Sequence, residues 1–383
     1  MILHPRPSPI AASMYQLRDI VVDAIILHGP SGCCFRTARL LETDGVSVFT
    51  TAMNDNDFIF GALDKLNNTI NEVIDYLENN KKTKYNEKYI IGIVGTCASM
   101  IIGEDIFSTI DDFKEKNGKE IILIPVDIHS GLNDNTVGAI RVMETCKMLG
   151  IISNEEFNRQ KYLLEKATEI EKTRGMAKEK YIKPNYDDDL DGVIKLLKNS
   201  ENLKIACVLN AKKETAYIFA NPLIEINKYN IKNNKNNKIY NIVNLDNTIG
   251  LNKVKNDATN ILKEYELNNI NIDYISGGLD EYAVLSDKVI NKLKEINPDI
   301  IFVSGVPHAI FIEQLTELNN NNNTNKNNKN NKIITIGISD GPRTYGPIKE
   351  LYNYGIIELD AHSKVLGKNK VVKSRLGEII SYL

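Results

Sequence analysis

Short apolar runs rich in β-branched residues recur along the chain, each followed by a glycine-rich or polar turn and then by apolar positions at helical spacing. They are VVDAIILHG, GVSVFTT, YIIGIVGT, EIILIPVD, KIACVLN, KIYNIVNLD, NIDYISGG, DIIFVSG and KIITIGISD. A run that is apolar at successive positions buries both of its faces, which suits parallel strands covered by helices on each side. This β-α rhythm predicts an α/β protein of two to three Rossmann-like, doubly wound parallel-sheet domains. We place the first domain over residues 1–185, a second over 186–297, and a third with the C-terminal segment over 298–383. The stretch 154–180 predicts a long charged helix, and the acidic turn from Asp187 to Asp191 marks the boundary after it. The Asn-rich tracts Asn319 to Asn331 and Asn233 to Asn237 are too polar to pack and predict surface insertions.

The bulk numbers agree with this picture and narrow the function. A chain of 383 residues exceeds what one core usually serves, since domains run to about 100–200 residues. With 42% hydrophobic and 25% charged residues it is an ordinary globular composition rather than a fibrous or disordered one. A net charge of -3 offers no basic field, so nucleic acid is not an expected partner. No apolar run approaches the roughly 20 residues that span a bilayer, and MILHPRPSPI lacks the pattern of a secretory signal. The expectation is a cytoplasmic protein with no membrane partner. Five cysteines then suggest reduced thiols or metal ligands rather than a disulfide framework.

Three segments of the first domain carry chemistry, and each directly follows an expected strand. They are His28-Gly29-Pro30-Ser31-Gly32-Cys33-Cys34-Phe35-Arg36, then Gly95-Thr96-Cys97-Ala98-Ser99-Met100-Ile101-Ile102-Gly103-Glu104-Asp105, then Pro125-Val126-Asp127-Ile128-His129-Ser130-Gly131. Loops after parallel strands share one rim of the sheet, so Cys33 and Cys97 are expected to approach each other. A thiol at the turn into a helix faces free N–H groups and the positive end of the helix dipole, which favours thiolate. Two such cysteines per chain supply half of the usual four ligands of a four-iron cluster, and a two-fold dimer supplies the rest. Cys33 and Cys34 point in different directions, and Cys33, next to Gly32, is preferred as the ligand with Cys34 the alternate. Cys146 and Cys207 occupy regular apolar positions and read as core. Structural zinc is disfavoured because no C-x-x-C pair occurs. Glu104 and Asp105 read as capping the helix that follows them.

The pattern H-G-P-x-G-C at His28 to Cys33, followed by G-T-C-x-x-x-I-I-G-E-D at Gly95 to Asp105, resembles the two cysteine loops of the nitrogenase component 1 family. That resemblance implies a nitrogenase component 1-like fold and iron–sulfur ligands at Cys33 and Cys97. The family's further cysteine near the N-terminus is missing, since that region reads HPRPSPIAASMYQ. A 4Fe-4S cluster shared by a homodimer therefore fits better than a double cluster. The HPRPSPI opening, the Cys33-Cys34 doublet and VDIHSGLNDNTVGA most resemble the methanogen branch, whose reductive cyclase acts on a nickel tetrapyrrole on the path to coenzyme F-430.

No G-x-x-x-x-G-K-[ST] loop and no G-x-G-x-x-G after a strand occur in the sequence. ATP hydrolysis and a second 4Fe-4S cluster are therefore expected on a separate P-loop reductase, as in the family. For a tetrapyrrole bearing carboxylates, Arg36, Arg39 and Arg343 are candidate contacts, and His129 and His308 are candidate proton donors just beyond strands. Each has a plain alternative as a turn-capping residue. Other readings are a different tetrapyrrole reductase, a cofactor-assembly scaffold, a regulatory subunit, and a cluster-free α/β ligand-binding module.

Overall fold

The computed structural model describes residues 8–80, 88–117, 121–129, 131, 135–175, 188–315, 333–341 and 344–383. Two compact units emerge, one built on residues 4–162 and the other on 163–250 and 254–383.

The first unit holds a four-stranded, all-parallel sheet of β1 (Ala24–His28), β2 (Ser47–Thr50), β3 (Tyr89–Gly95) and β4 (Ile121–Val126), in the order β2-β1-β3-β4. The chain runs from β1 outward to β2 and then returns to β3 on the other side of β1, so the winding reverses between β1 and β3. Ala24, Ile26, Ile91, Ile93 and Leu123 pack with Leu66, Ile70, Val73, Ile74 and Leu77 of the helix Leu63–Asn80. That helix places apolar residues three and four apart, which aligns them in one stripe against the sheet.

Residues Pro9–Ile20 form a helix buried on nearly every side. Ser8 caps it by accepting from Ala11 N, and proline at the first helical position sacrifices no hydrogen bond.

The second unit holds six parallel strands: β5 (Lys204–Asn210), β6 (Lys238–Val243), β7 (Tyr274–Ile275), β8 (Ile300–Gly305), β9 (Ile334–Asp340) and β10 (Tyr354–Glu358). Their order is β10-β9-β8-β5-β6-β7, which puts the reversal between β5 and β8. The boundary expected at residue 298 is corrected here. β8 pairs with β5 along its whole length, from Ile205↔Ile300 to Asn210↔Gly305, so residues 298–383 complete this sheet instead of forming a third domain. The β-α rhythm identifies strands but carries no information about which strands pair.

Nine apolar runs were read as strands, and β10 makes a tenth that the rhythm missed. It is the sheet's edge strand, five residues long with four of them buried. Asp188 and Asp189 of the acidic turn serve this edge. Asp188 accepts from Ile357 N and pairs with Arg375, while Asp189 accepts from Gly355 N and from Lys349 Nζ. Carboxylates thus occupy backbone donors that an edge strand otherwise leaves open.

The long charged helix runs Asn154–Ile170 and continues as a π-helical turn, Glu171–Gly175. Asn233 ends the helix Ala216–Lys232 as its C-cap, and Asn237 is buried, hydrogen-bonded to Ser200 and Leu203, so the shorter Asn tract is partly structural. The longer tract, Asn319 to Asn331, lies outside the described residues.

Candidate functional site

β1 and β3 flank the reversal of the first sheet, and their C-terminal loops carry the cysteines. His28 at the end of β1 stands opposite Gly95 at the end of β3. Beyond His28 the chain makes a tight turn, closed by Cys33 N donating to the Pro30 carbonyl. Cys34 takes a left-handed backbone conformation, φ 53, at the head of the helix Phe35–Thr43. Beyond Gly95, Thr96 caps the short helix Cys97–Ile101 in a capping box with Ser99. The two loops touch directly, because Thr96 Oγ1 donates to the His28 carbonyl at 2.9 Å. The glycine of the H-G-P motif is explained by this approach: a Cβ on Gly29 would lie 2.3 Å from Thr96 Oγ1.

The structure therefore brings Cys33, Cys34 and Cys97 to one rim, all half-buried. Hydrogen bonding to Cys34, then burial, then the neighbouring Cys34 and Cys97 charges push the Cys33 thiol far up. Cys34 moves the other way, to about 7, because Cys33 donates to it and the Ser8 hydroxyl, 3.9 Å from its sulfur, assists. Within the doublet the bond from Cys33 favours thiolate at Cys34. Cys146 and Cys207 are fully buried and lie away from the rim, in a helix and in β5, and burial raises both thiols, Cys146 to about 12.

Beneath the cysteine loops lies a buried polar strut that sequence reading did not find. His28 Nε2 is 2.6 Å from Glu104 Oε2, its Nδ1 is 3.2 Å from Thr51 Oγ1, and the imidazole has no solvent exposure. Thr51 in turn receives the Gly29 N–H at 3.0 Å, and the other Glu104 oxygen receives the Ala62 N–H. Burial lowers the His28 pKa against the opposing pull of Glu104. The capping role read for the Glu104-Asp105 pair holds for Asp105, which accepts from Ser108 N, while Glu104 joins the two cysteine loops through His28. Both residues stood in the quoted motifs, but only the fold brings residues 76 positions apart together.

The other candidates distribute differently. Arg36 is exposed on the helix after Cys34, and Arg39 on the same helix forms an exposed ion pair with Glu42 at 2.7 Å. His129 follows the edge strand β4 and accepts from Gly131 N at 3.2 Å, closing its own turn. His308 belongs to the second unit, and Arg343 lies outside the described residues.

Residues 8–149 match the model of nitrogenase component 1 type oxidoreductases. The whole chain is 56% identical to component CfbD of the Ni-sirohydrochlorin a,c-diamide reductive cyclase complex of Methanocaldococcus jannaschii, with 100% of this chain and 99% of that protein covered. The chain belongs to this nitrogenase-like CfbD family. Its counterpart from Methanothermobacter thermautotrophicus is 44% identical over 99% of this chain and 98% of its own length. The one from Methanosarcina acetivorans is 39% identical, covering 98% and 95% respectively. The family match spans the first unit's strands and both cysteine loops. No helix among the described residues is long and apolar enough to cross a membrane.

Proposed function

We propose that this chain is the cluster-carrying component of an ATP-dependent, nitrogenase-like reductive cyclase. Its substrate is Ni-sirohydrochlorin a,c-diamide, which is reduced by several electrons and closed to a lactam ring toward coenzyme F-430. The observation that carries this reading is full-length similarity to three CfbD components, combined with cysteines flanking the reversal of the first sheet. Each relative's name makes it part of a complex. A separate P-loop reductase with its own 4Fe-4S cluster is the electron donor.

The donor set fits an iron–sulfur cluster. Cys33 and Cys97 would hold it, with Cys34 as alternate, and the cluster when bound supplies one-electron transfer. Among the described residues no three His, Cys, Asp or Glu side chains gather closely enough to hold a metal ion within one chain. Two ligands from each of two chains answer that shortage. The surface around the loops supports a homodimer. Phe35, Ile59, Phe60 and Ile101 are between 63% and 85% exposed. The turn bearing Phe60 and the helix bearing Ile101 adjoin through Met53, Ala62, Ala98 and Ile102. Clustered exposed apolar groups mark interaction surfaces, unlike apolar residues scattered singly.

The test is iron, acid-labile sulfide and EPR on anaerobically prepared protein, followed by turnover of the nickel tetrapyrrole with the reductase and ATP. About two irons per chain and a dimeric mass support the reading. An iron-free, colourless protein after reconstitution refutes it, as does a chain that turns over a chlorophyll precursor and leaves the nickel substrate untouched.

A further inference from the structure

The second sheet has a reversal of its own, between β5 and β8, that the cysteine chemistry does not use. Asn210 and Gly305 end these strands side by side, and the loops beyond carry Lys212 and His308. Open α/β sheets bind ligands at this place. His308 is 1% exposed, and among the described residues neither of its ring nitrogens has a hydrogen-bond partner. Nε2 lies 3.5 Å from Glu171 Oε2, near enough to pair with its charge and too far for a good hydrogen bond. The Asn210 Oδ1 atom, also fully buried, is likewise unpaired among the described residues. Buried polar atoms left unpaired are uncommon and mark places where something else binds or reacts.

The surroundings are built around that imidazole. Glu171 opens the π-helical turn, and such turns recur at functional sites. Lys212 Nζ donates to Glu171 Oε1 at 2.5 Å and lies 5.5 Å from the Tyr282 ring centre. Burial works against both charges, yet Lys212 and His308 hold Glu171 far below the usual carboxylate range, and Tyr282 and Glu171 hold Lys212 protonated. From the same turn, Arg174 Nε donates to the His308 carbonyl at 2.8 Å and its guanidinium pairs with both Glu313 oxygens. Tyr352 Oη donates to the Pro307 carbonyl at 2.9 Å. Gly175 closes the turn where a Cβ would lie 2.6 Å from both Glu171 Oε2 and His308 Nε2. Further out, Asp340 pairs with His362 at 3.2 Å.

We propose that His308 is a general acid, positioned by Glu171, that protonates the tetrapyrrole through Nδ1 as it is reduced; this rests on the function proposed above. The Nδ1–H bond of the imidazolium breaks, and a C–H bond forms at a macrocycle carbon that has taken electrons from a one-electron reductant. Neutral His308 then regains a proton from water. Glu171 faces the ring at Nε2, and Lys212 keeps Glu171 ionised. The charged and titratable groups facing the imidazole are Glu171, Lys212, Arg174, Glu313, Tyr282 and Tyr352, with Asp340 and His362 beyond.

The experiment measures turnover against pH with the nickel tetrapyrrole, the P-loop reductase and ATP, for wild type, His308→Gln, Glu171→Gln and Glu171→Asp. Iron content and tetrapyrrole binding, read from the absorbance shift, are followed in parallel. His308→Gln is expected to lose about 100-fold or more in turnover while keeping its iron and its tetrapyrrole affinity. A positioning role for Glu171 predicts that Glu171→Gln shifts the pH profile of turnover and that Glu171→Asp restores part of the shift. Should His308→Gln not fold, the Glu171→Gln profile decides alone. Wild-type turnover in His308→Gln, an unmoved profile in Glu171→Gln, or a loss confined to tetrapyrrole binding overturns the proposal. Absence of wild-type turnover refutes the function itself and this inference with it.

Discussion

Each sheet of this protein ends, at its reversal point, in a buried histidine facing a glutamate, and the two pairs are built to different specifications. In the first unit His28 is saturated: Glu104 sits 2.6 Å from one nitrogen and Thr51 3.2 Å from the other. In the second unit His308 lies 3.5 Å from Glu171 and neither ring nitrogen is hydrogen-bonded among the described residues. A saturated buried imidazole has no capacity left for chemistry and acts as a strut. One left unsaturated loses stability relative to that arrangement and keeps a proton site available. Two similar pairs in sequence terms, a histidine after a strand and a glutamate far away, therefore serve opposite ends.

The largest effect expected is at the proposed cluster cysteines, whose loops the strut joins. Cys33→Ala and Cys97→Ala should each fall from about two irons per chain to nearly none, as measured by iron and sulfide analysis. If only Cys34→Ala loses iron, the ligand within the doublet is Cys34 and the strut serves that thiol instead.

Next in size is the strut itself. Replacing Glu104 by Ala leaves His28 and the Ala62 N–H buried without their partner, and urea unfolding should show a loss of about 3–5 kcal/mol. Glu171→Ala should cost less, since the Lys212 and Glu171 side chains keep 18% and 15% exposure against 0% and 5% for His28 and Glu104. Equal losses at both sites would erase the contrast between a strut and a chemical site.

Gly175→Ala tests the second pair by crowding. The added methyl must displace Glu171 or His308, and a thermal melt should report about 1–3 kcal/mol of destabilisation. The same substitution should depress turnover more than stability if the imidazole is chemically active.

The smallest effect is a pH dependence confined to the first unit. Burial keeps the folded-state pKa of His28 below its unfolded value. The unfolded chain then binds the extra proton, so stability should be full above about pH 6.5 and decline as pH falls below it. His28→Gln should flatten that slope in urea titrations at successive pH values, and an unchanged slope would assign it to another group.

Much of this was legible in the chain. Nine of the ten strands among the described residues announce themselves as apolar runs, and the loops that carry Cys33 and Cys97 follow two of them directly. Because parallel strands place their following loops on one rim, the approach of these cysteines follows from local pattern alone. The strut was not legible, since His28 and Glu104 meet across 76 residues and each looks locally like a motif or cap residue. The same holds for Glu171, which reads as one more acid in a charged helix until a π-turn aims it at His308. Arg36 and Arg39, cationic residues beside a cysteine loop, invited a binding role, and Arg39 forms an exposed ion pair with Glu42 on its own helix.

The sequence by itself determined the α/β class, the positions of the strands and the loops that carry the cysteines, because hydrophobic period and turn chemistry are local properties. Only the tertiary structure decided that β8 lies beside β5, that the last strands complete one six-stranded sheet, and which buried histidine is saturated. Strand order and the count of hydrogen bonds at a buried ring depend on residues brought together from far apart in the chain, and no local pattern encodes that meeting.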